Sequence, residues 1–173
     1  RPANYPGDVP GKGYCVVSKK EFRLGVINLQ GRVRMYDLES PFDAAQSIVR
    51  SLNEQTDGIV VDFHAEETGE KEALALYLDG KVNAVVGTHT HVQTADERIL
   101  PGGTACITDL GMTGPTGSVI GVDPEISIRR SLTQMPLKME VLEMPGVIRG
   151  VAVEISREGK TLSITRIAEY PGF

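Results

Sequence analysis

Apolar residues follow two rhythms along this chain, and the switches between them mark out its elements. Strand-like runs stand at residues 15–18 and 23–28, after an opening stretch whose three prolines and two glycines read as a loop. Phe42, Ala45, Ile48, Val49 and Leu52 then fall at helical spacing, which predicts a helix reaching about residue 55. Ser40 before Pro41, with Asp43 in the first turn, marks its start: a hydroxyl cap, a proline at the first helical position and a carboxylate near the free N–H groups. Residues 58–63 are short and β-branched, as in a strand buried on both faces, and the run stops at His64. A second helix is predicted over 68–78 with Thr68 as its cap, followed by a buried strand over 82–86 that ends at Gly87-Thr88-His89-Thr90-His91.

Strand, helix and strand in so few residues make a βαβ unit, so the two strands are predicted to be parallel neighbours. Their carboxyl ends then share one edge of a sheet. Farther on, 97–109 reads as a hairpin turning at Leu100-Pro101-Gly102-Gly103, and 111–115 as a glycine-rich loop. Asp123-Pro124 caps a helix to about residue 133, and 147–156 and 161–167 alternate as an antiparallel pair turning at Glu158-Gly159. The fold class is α/β.

The only three histidines of the 173-residue chain, His64, His89 and His91, lie at the ends of the two adjacent strands. Extended geometry would turn His89 and His91 to one side, about 7 Å apart at Cα. Imidazoles so placed can share one metal ion or hold one each of a pair. Loops at the carboxyl ends of parallel strands are also where α/β sheets keep their ligands. The competing reading for any one histidine is a structural hydrogen-bonding group. Asp62, Glu66, Glu67 and Asp96 lie near enough in sequence to add oxygen ligands, or to be solvated loop carboxylates and cap partners; Asp62 can also point away, within the buried strand.

Composition narrows the partners. A net charge of −5 with no long basic run argues against a duplex nucleic acid surface. No apolar run approaches the roughly 20 residues of a membrane span. Cys15 and Cys106 lie far apart and form no C-x-x-C pair, which points to a reduced, cytoplasmic setting. A small anionic substrate suits an acidic protein if metal ions supply the local positive charge.

Three strings carry a resemblance: Asp62-Phe63-His64-Ala65-Glu66, residues 85–97 around the histidine pair, and Thr108-Asp109-Leu110-Gly111-Met112-Thr113-Gly114-Pro115, supported by Arg1-Pro2-Ala3-Asn4-Tyr5-Pro6 and Ser118-Val119-Ile120-Gly121. They resemble the bacterial 2′,3′-cyclic-nucleotide phosphodiesterase branch of the calcineurin-like metallophosphoesterases, over essentially the whole chain. The resemblance implies a four-layer α/β/β/α sandwich, of which residues 1–173 are a single, N-terminally incomplete domain. It implies a dinuclear centre of iron or manganese, with zinc as a further option, in which His64 and His89 bind one metal and His91 the other. It further implies hydrolysis of 2′,3′-cyclic nucleotides, with 3′,5′-cyclic nucleotides as a second class, by a hydroxide activated between two metals, and a homo-oligomeric assembly.

The family's metal-binding aspartate, bridging acidic residue and asparagine–histidine pair find no counterpart in this sequence. A histidine general acid is therefore expected outside it, at most one metal is expected to bind, and the chain alone is expected to be nearly inactive. An amidohydrolase-like barrel fits poorly, because its H-x-H pair opens a chain of about 250 residues. The non-enzymatic alternative is a regulatory or assembly module that binds metal or nucleotide without hydrolysis.

Overall fold

The computed structural model describes residues 1–170. A six-stranded sheet forms its centre, and three further strands form a second sheet. The first sheet comprises β1 (Tyr14–Lys19), β2 (Phe22–Gln30), β3 (Gly58–His64), β4 (Ala84–Thr88), β5 (Arg98–Ile99) and β6 (Ala105–Ile107). β2, β3, β4 and β6 run parallel, while β1 and β5 pair antiparallel at the edges. The predicted βαβ unit is present, with His64 of β3 in register with Thr88 of β4.

Helices α1 (Pro41–Leu52) and α2 (Thr68–Tyr77) make the crossovers between these strands. Successive strands step in one direction across the sheet, and right-handed crossovers then place both helices on one face. Ala45, Val49 and Leu52 of α1 join Leu74 and Ala75 of α2, with Leu78 just beyond it, in one core with Ile27, Leu29, Ile59, Val61 and Phe63. Each of these apolar side chains is almost wholly removed from water, the main force holding helices to sheet.

Ser40 caps α1 as the sequence predicts, its hydroxyl accepting the Asp43 N–H at 3.3 Å. The helix ends at Leu52, a few residues short of the predicted end. α2 departs more clearly. Its cap position is Glu67 and not Thr68, and no side chain satisfies the first N–H groups there. Glu67 instead pairs with Arg34 at 3.0 Å.

The opening loop is tied down by its backbone and by one fully buried side chain. Ala3 N–H donates to the Asn28 carbonyl at 2.7 Å. The Asn4 amide reaches Gln30 O at 2.8 Å and Glu39 O at 3.0 Å, and its oxygen accepts the Gln30 N–H at 3.0 Å. The loop thus satisfies the last polar groups of β2.

The second sheet combines β7 (Gly114–Pro115), β8 (Gly146–Ile155) and β9 (Thr161–Glu169), all antiparallel. It joins the first sheet through Asn83, whose side chain accepts the Ile59 N–H and donates to the Gly159 carbonyl, both at 2.8 Å. Helix α3 (Pro124–Thr133), capped by Asp123 as predicted, lies outside these layers, with none of its residues buried. The α/β architecture therefore appears as a helix layer, a mainly parallel sheet and a second sheet.

Candidate metal centre

At the carboxyl edge of the parallel strands the chain leaves extended geometry abruptly. β4 stops at Thr88, and His89 and His91 take φ values of 143° and 65°. Alternation therefore does not apply to the pair, and the two rings part. His89 turns toward His64, with Nδ1 3.1 Å from His64 Nε2 and ring centroids 4.9 Å apart. His91 turns toward the segment before α3, with Nδ1 2.9 Å from the Ile120 carbonyl. The expected meeting of three imidazoles is thus a meeting of two. Among the described residues, no group of three or more His, Cys, Asp or Glu side chains is arranged to hold an ion. Positive φ at a non-glycine residue costs of order 1–3 kcal/mol and persists where surrounding contacts over-determine it.

The nitrogens facing away from the gap all meet oxygen. His64 Nδ1 lies 3.1 Å from the Thr88 hydroxyl, which donates to Asp62 at 3.4 Å and so accepts from the ring. Asp62 is held in turn by the Asn28 amide at 2.7 Å. His89 Nε2 sits against the Glu66 carboxylate. A carbonyl only accepts, so His91 Nδ1 carries a proton toward Ile120 and leaves Nε2 as its lone pair. These are the partners that orient metal-ligating histidines and fix their tautomers.

His64 Nε2 and His89 Nδ1 stand 3.1 Å apart, with the tautomers deciding which of them carries a proton. With both rings neutral and their outer nitrogens protonated, a cation between them would accept both lone pairs. Two nitrogens about 2.0–2.1 Å from one ion, at angles between square and tetrahedral, stand about 2.9–3.4 Å apart. The pair therefore fits a single transition ion. Burial, then the neighbouring His89, pull the His64 pKa below its ordinary value against the opposing pull of Asp62, which favours the neutral, ligating ring.

The carboxylates divide between the two readings left open for them. Asp62 faces the site side of β3 and acts through Thr88, and Glu66 backs His89 without completing a three-ligand group. Glu67 is paired with Arg34. Asp96 accepts the Thr108 N–H at 3.3 Å and lies 3.6 Å from Arg98, in a local turn network of its own. Burial alone would raise the Asp96 pKa, but hydrogen bonds from Thr94 and Thr108 outweigh it and hold the group below the usual carboxylate value.

Two buried charges went unread in the sequence: Lys71 and Asp109 form an ion pair at 3.2 Å behind the histidine loop. A hint was present in α2, where Lys71 shares helical spacing with Leu74, Ala75 and Leu78 in the core-facing stripe. Burial would raise the Asp109 pKa, yet the Thr90 and Gly111 N–H groups and Lys71 overcome it and hold the carboxyl below its ordinary value. The cavity of about 470 Å³ lined by Asp57, Gly80, Lys81, Asn83 and Lys160 opens where β3 and β4 begin, at the opposite edge from the histidines.

A helix-backed parallel sheet with a second sheet beside it and histidines at its carboxyl edge defines an α/β protein with its candidate site at that edge. The chain belongs to the family described as YmdB-like protein, whose profile matches residues 1–167. It is similar to the 2′,3′-cyclic-nucleotide 2′-phosphodiesterase of Bacillus subtilis strain 168, with 48% identity over 168 residues, 96% of this chain and 64% of that protein. The solved structure of a hypothetical protein from Thermus thermophilus matches 99% of this chain and 67% of its own, at TM-score 0.90 and 38% identity. A novel phosphatase from Mycoplasma pneumoniae matches at TM-score 0.88 and 35% identity, over 98% of this chain and 63% of that one. The chain thus spans about two thirds of the length of these relatives.

Proposed function

We propose that this chain is the histidine-bearing part of a metal-dependent phosphodiesterase acting on 2′,3′-cyclic nucleotides, with 3′,5′-cyclic nucleotides as a second substrate class. The observation that carries this reading is the His64–His89 pair, whose inner nitrogens stand 3.1 Å apart while their outer nitrogens meet Thr88 and Glu66. The likeness to the Bacillus subtilis enzyme supports the substrate class.

In this reading His64 and His89 hold one ion, and His91 presents Nε2 to a second. Imidazole donors suit a transition metal, and the family resemblance of the sequence makes it iron or manganese, with zinc as a further option. When bound, such ions supply positive charge to the phosphate and lower the pKa of a water. The chain's own part is to orient neutral imidazoles. Thr88 with Asp62, Glu66, and the Ile120 carbonyl take the outer protons of His64, His89 and His91 in turn. Two ions belong to the intact enzyme in this reading; the 173 residues alone bind at most one metal and turn over little.

The reading includes a cytoplasmic protein, supported by Cys15 and Cys106 both being free thiols. Among the described residues, no helix is long and apolar enough to cross a membrane. It also includes a homo-oligomer, supported by the exposed Ile128 and Leu132 of α3.

Elemental analysis together with turnover of a 2′,3′-cyclic nucleotide tests the proposal. About one bound transition metal, lost in both His64→Ala and His89→Ala, is expected. A chain that takes up no metal, or keeps it in both variants, overturns the reading. Rapid turnover by the 173-residue chain, abolished in His89→Ala, would show that it needs no further catalytic group.

A further inference from the structure

The buried ion pair behind the histidine loop has no part in the proposed chemistry, yet its hydrogen bonds converge on that loop. The Lys71 and Asp109 side chains are only 3% and 2% exposed. Asp109 Oδ2 accepts the Lys71 ammonium at 3.2 Å and also the Thr90 N–H at 2.8 Å, from the residue between His89 and His91. Oδ1 accepts the Gly111 N–H at 2.9 Å. The residues after β6 continue the strap, with Leu110 N–H bonded to the Gly87 carbonyl at 2.8 Å and Met112 N–H to the His91 carbonyl at 3.1 Å.

Close approach makes this possible. A Cβ on Gly87 would lie 1.9 Å from the Thr108 carbonyl oxygen, so only glycine lets the two loops meet. His89 and His91 hold left-handed φ values on either side of Thr90, and the Asp109 carboxylate grips the backbone between them. Two N–H groups and one ammonium converge on that carboxylate. An amide in its place would turn an NH₂ toward at least one of the donors, and burial without Lys71 would leave the charge uncompensated.

We infer that Asp109, held by Lys71, is the positioning residue of the histidine loop: it touches no ion and fixes the backbone that aims His89 and His91. This inference rests on the metal-binding reading above and adds a residue to it. The role differs from general stabilisation, because the affected quantity is the geometry of a loop in the folded protein.

The test compares Asp109→Asn with Leu52→Ala in the full 173-residue chain. Leu52 is buried at the end of α1, where its side chain lies against Gly25 of β2. Zinc affinity is read by titration calorimetry, and Thr90 amide exchange is read in the metal-free protein. D109N is expected to weaken zinc by about 10–100-fold, as loss of a supporting group does, and to speed exchange at Thr90. L52A is expected to lower the urea midpoint while leaving zinc affinity within about twofold. If D109N is too unstable to purify, the double variant K71M/D109N, which leaves no lone charge buried, carries the same comparison. Zinc bound by D109N as tightly as by the wild type, with Thr90 still protected, overturns the inference alone. Equal weakening of zinc in L52A overturns it too. Wild-type protein that takes up none of zinc, iron(II) and manganese(II) overturns the metal reading and this inference together.

Discussion

Neighbouring residues of β3 meet two different environments. Ile59, Val61 and Phe63 are 3%, 0% and 0% exposed beneath α1 and α2, whereas Val60, Asp62 and His64 are half-buried on the opposite face. The helix face is held by area removed from water, so each lost methylene is felt directly. The other face is held by directed contacts from Asn28 to Asp62, Thr88, His64 and His89. One strand thus separates stability from chemistry by alternation alone.

The largest effect that can sharpen this contrast comes from Phe63→Ala. It removes a fully buried ring next to His64 in sequence but on the other side of the sheet. A loss of about 3–5 kcal/mol in unfolding free energy is expected. Zinc affinity of the remaining folded protein should stay close to wild type, and a large drop in affinity would break the comparison.

On the opposite face the effects should reverse. Thr88→Val keeps the shape but removes the hydroxyl between His64 Nδ1 and Asp62. Zinc affinity is expected to fall about 10–100-fold, equivalent to about 1.4–2.7 kcal/mol, read by calorimetry. Urea unfolding should move by about 1 kcal/mol or less. Unchanged affinity would show that the hydroxyl does not orient the ring.

Most of the helix face could be read from the sequence, and much of the site face could not. The β-branched run ending at His64 and the apolar stripe of α1 each follow one period, so strand, helix and core emerge together. The same logic failed at His89 and His91, because the strand ends at Thr88 and positive φ values follow. Thr68 has the side chain of a cap, yet the backbone places Glu67 there. Lys71 and Asp109 lie 38 residues apart, and only the parallel register of β3, β4 and β6 brings them together. Which side Glu66 and Asp62 would take depended on that register as well.

A smaller effect is expected from Ser40→Ala. The hydroxyl satisfies one N–H at the start of α1, the helix whose Ala45, Val49 and Leu52 cover the core. Its loss should cost about 1 kcal/mol in urea unfolding and leave zinc affinity untouched. A larger stability loss would mean that α1 carries more of the core face than its end suggests.

Acid should separate the faces with a smaller and gradual effect. Phe63, Val61 and Ile59 carry no titratable group, so the packing they supply does not change with pH. His64 has a folded pKa below its ordinary value of 6.5, with burial the larger cause and His89 the next. Below about pH 6.5 the unfolded chain therefore binds a proton that the folded ring resists, and metal-free stability falls as pH falls. Above that value the ring is neutral in both states and contributes no slope. Asp109 acts later and in the same direction: its lowered pKa contributes stability above the ordinary 3.8 that is lost as pH drops through the folded value. Urea midpoints of chelated protein at pH 7.5, 6 and 5 should decline for the wild type and decline less for His64→Gln. Equal slopes would place the acid sensitivity elsewhere and remove His64 as the titrating group of the site face.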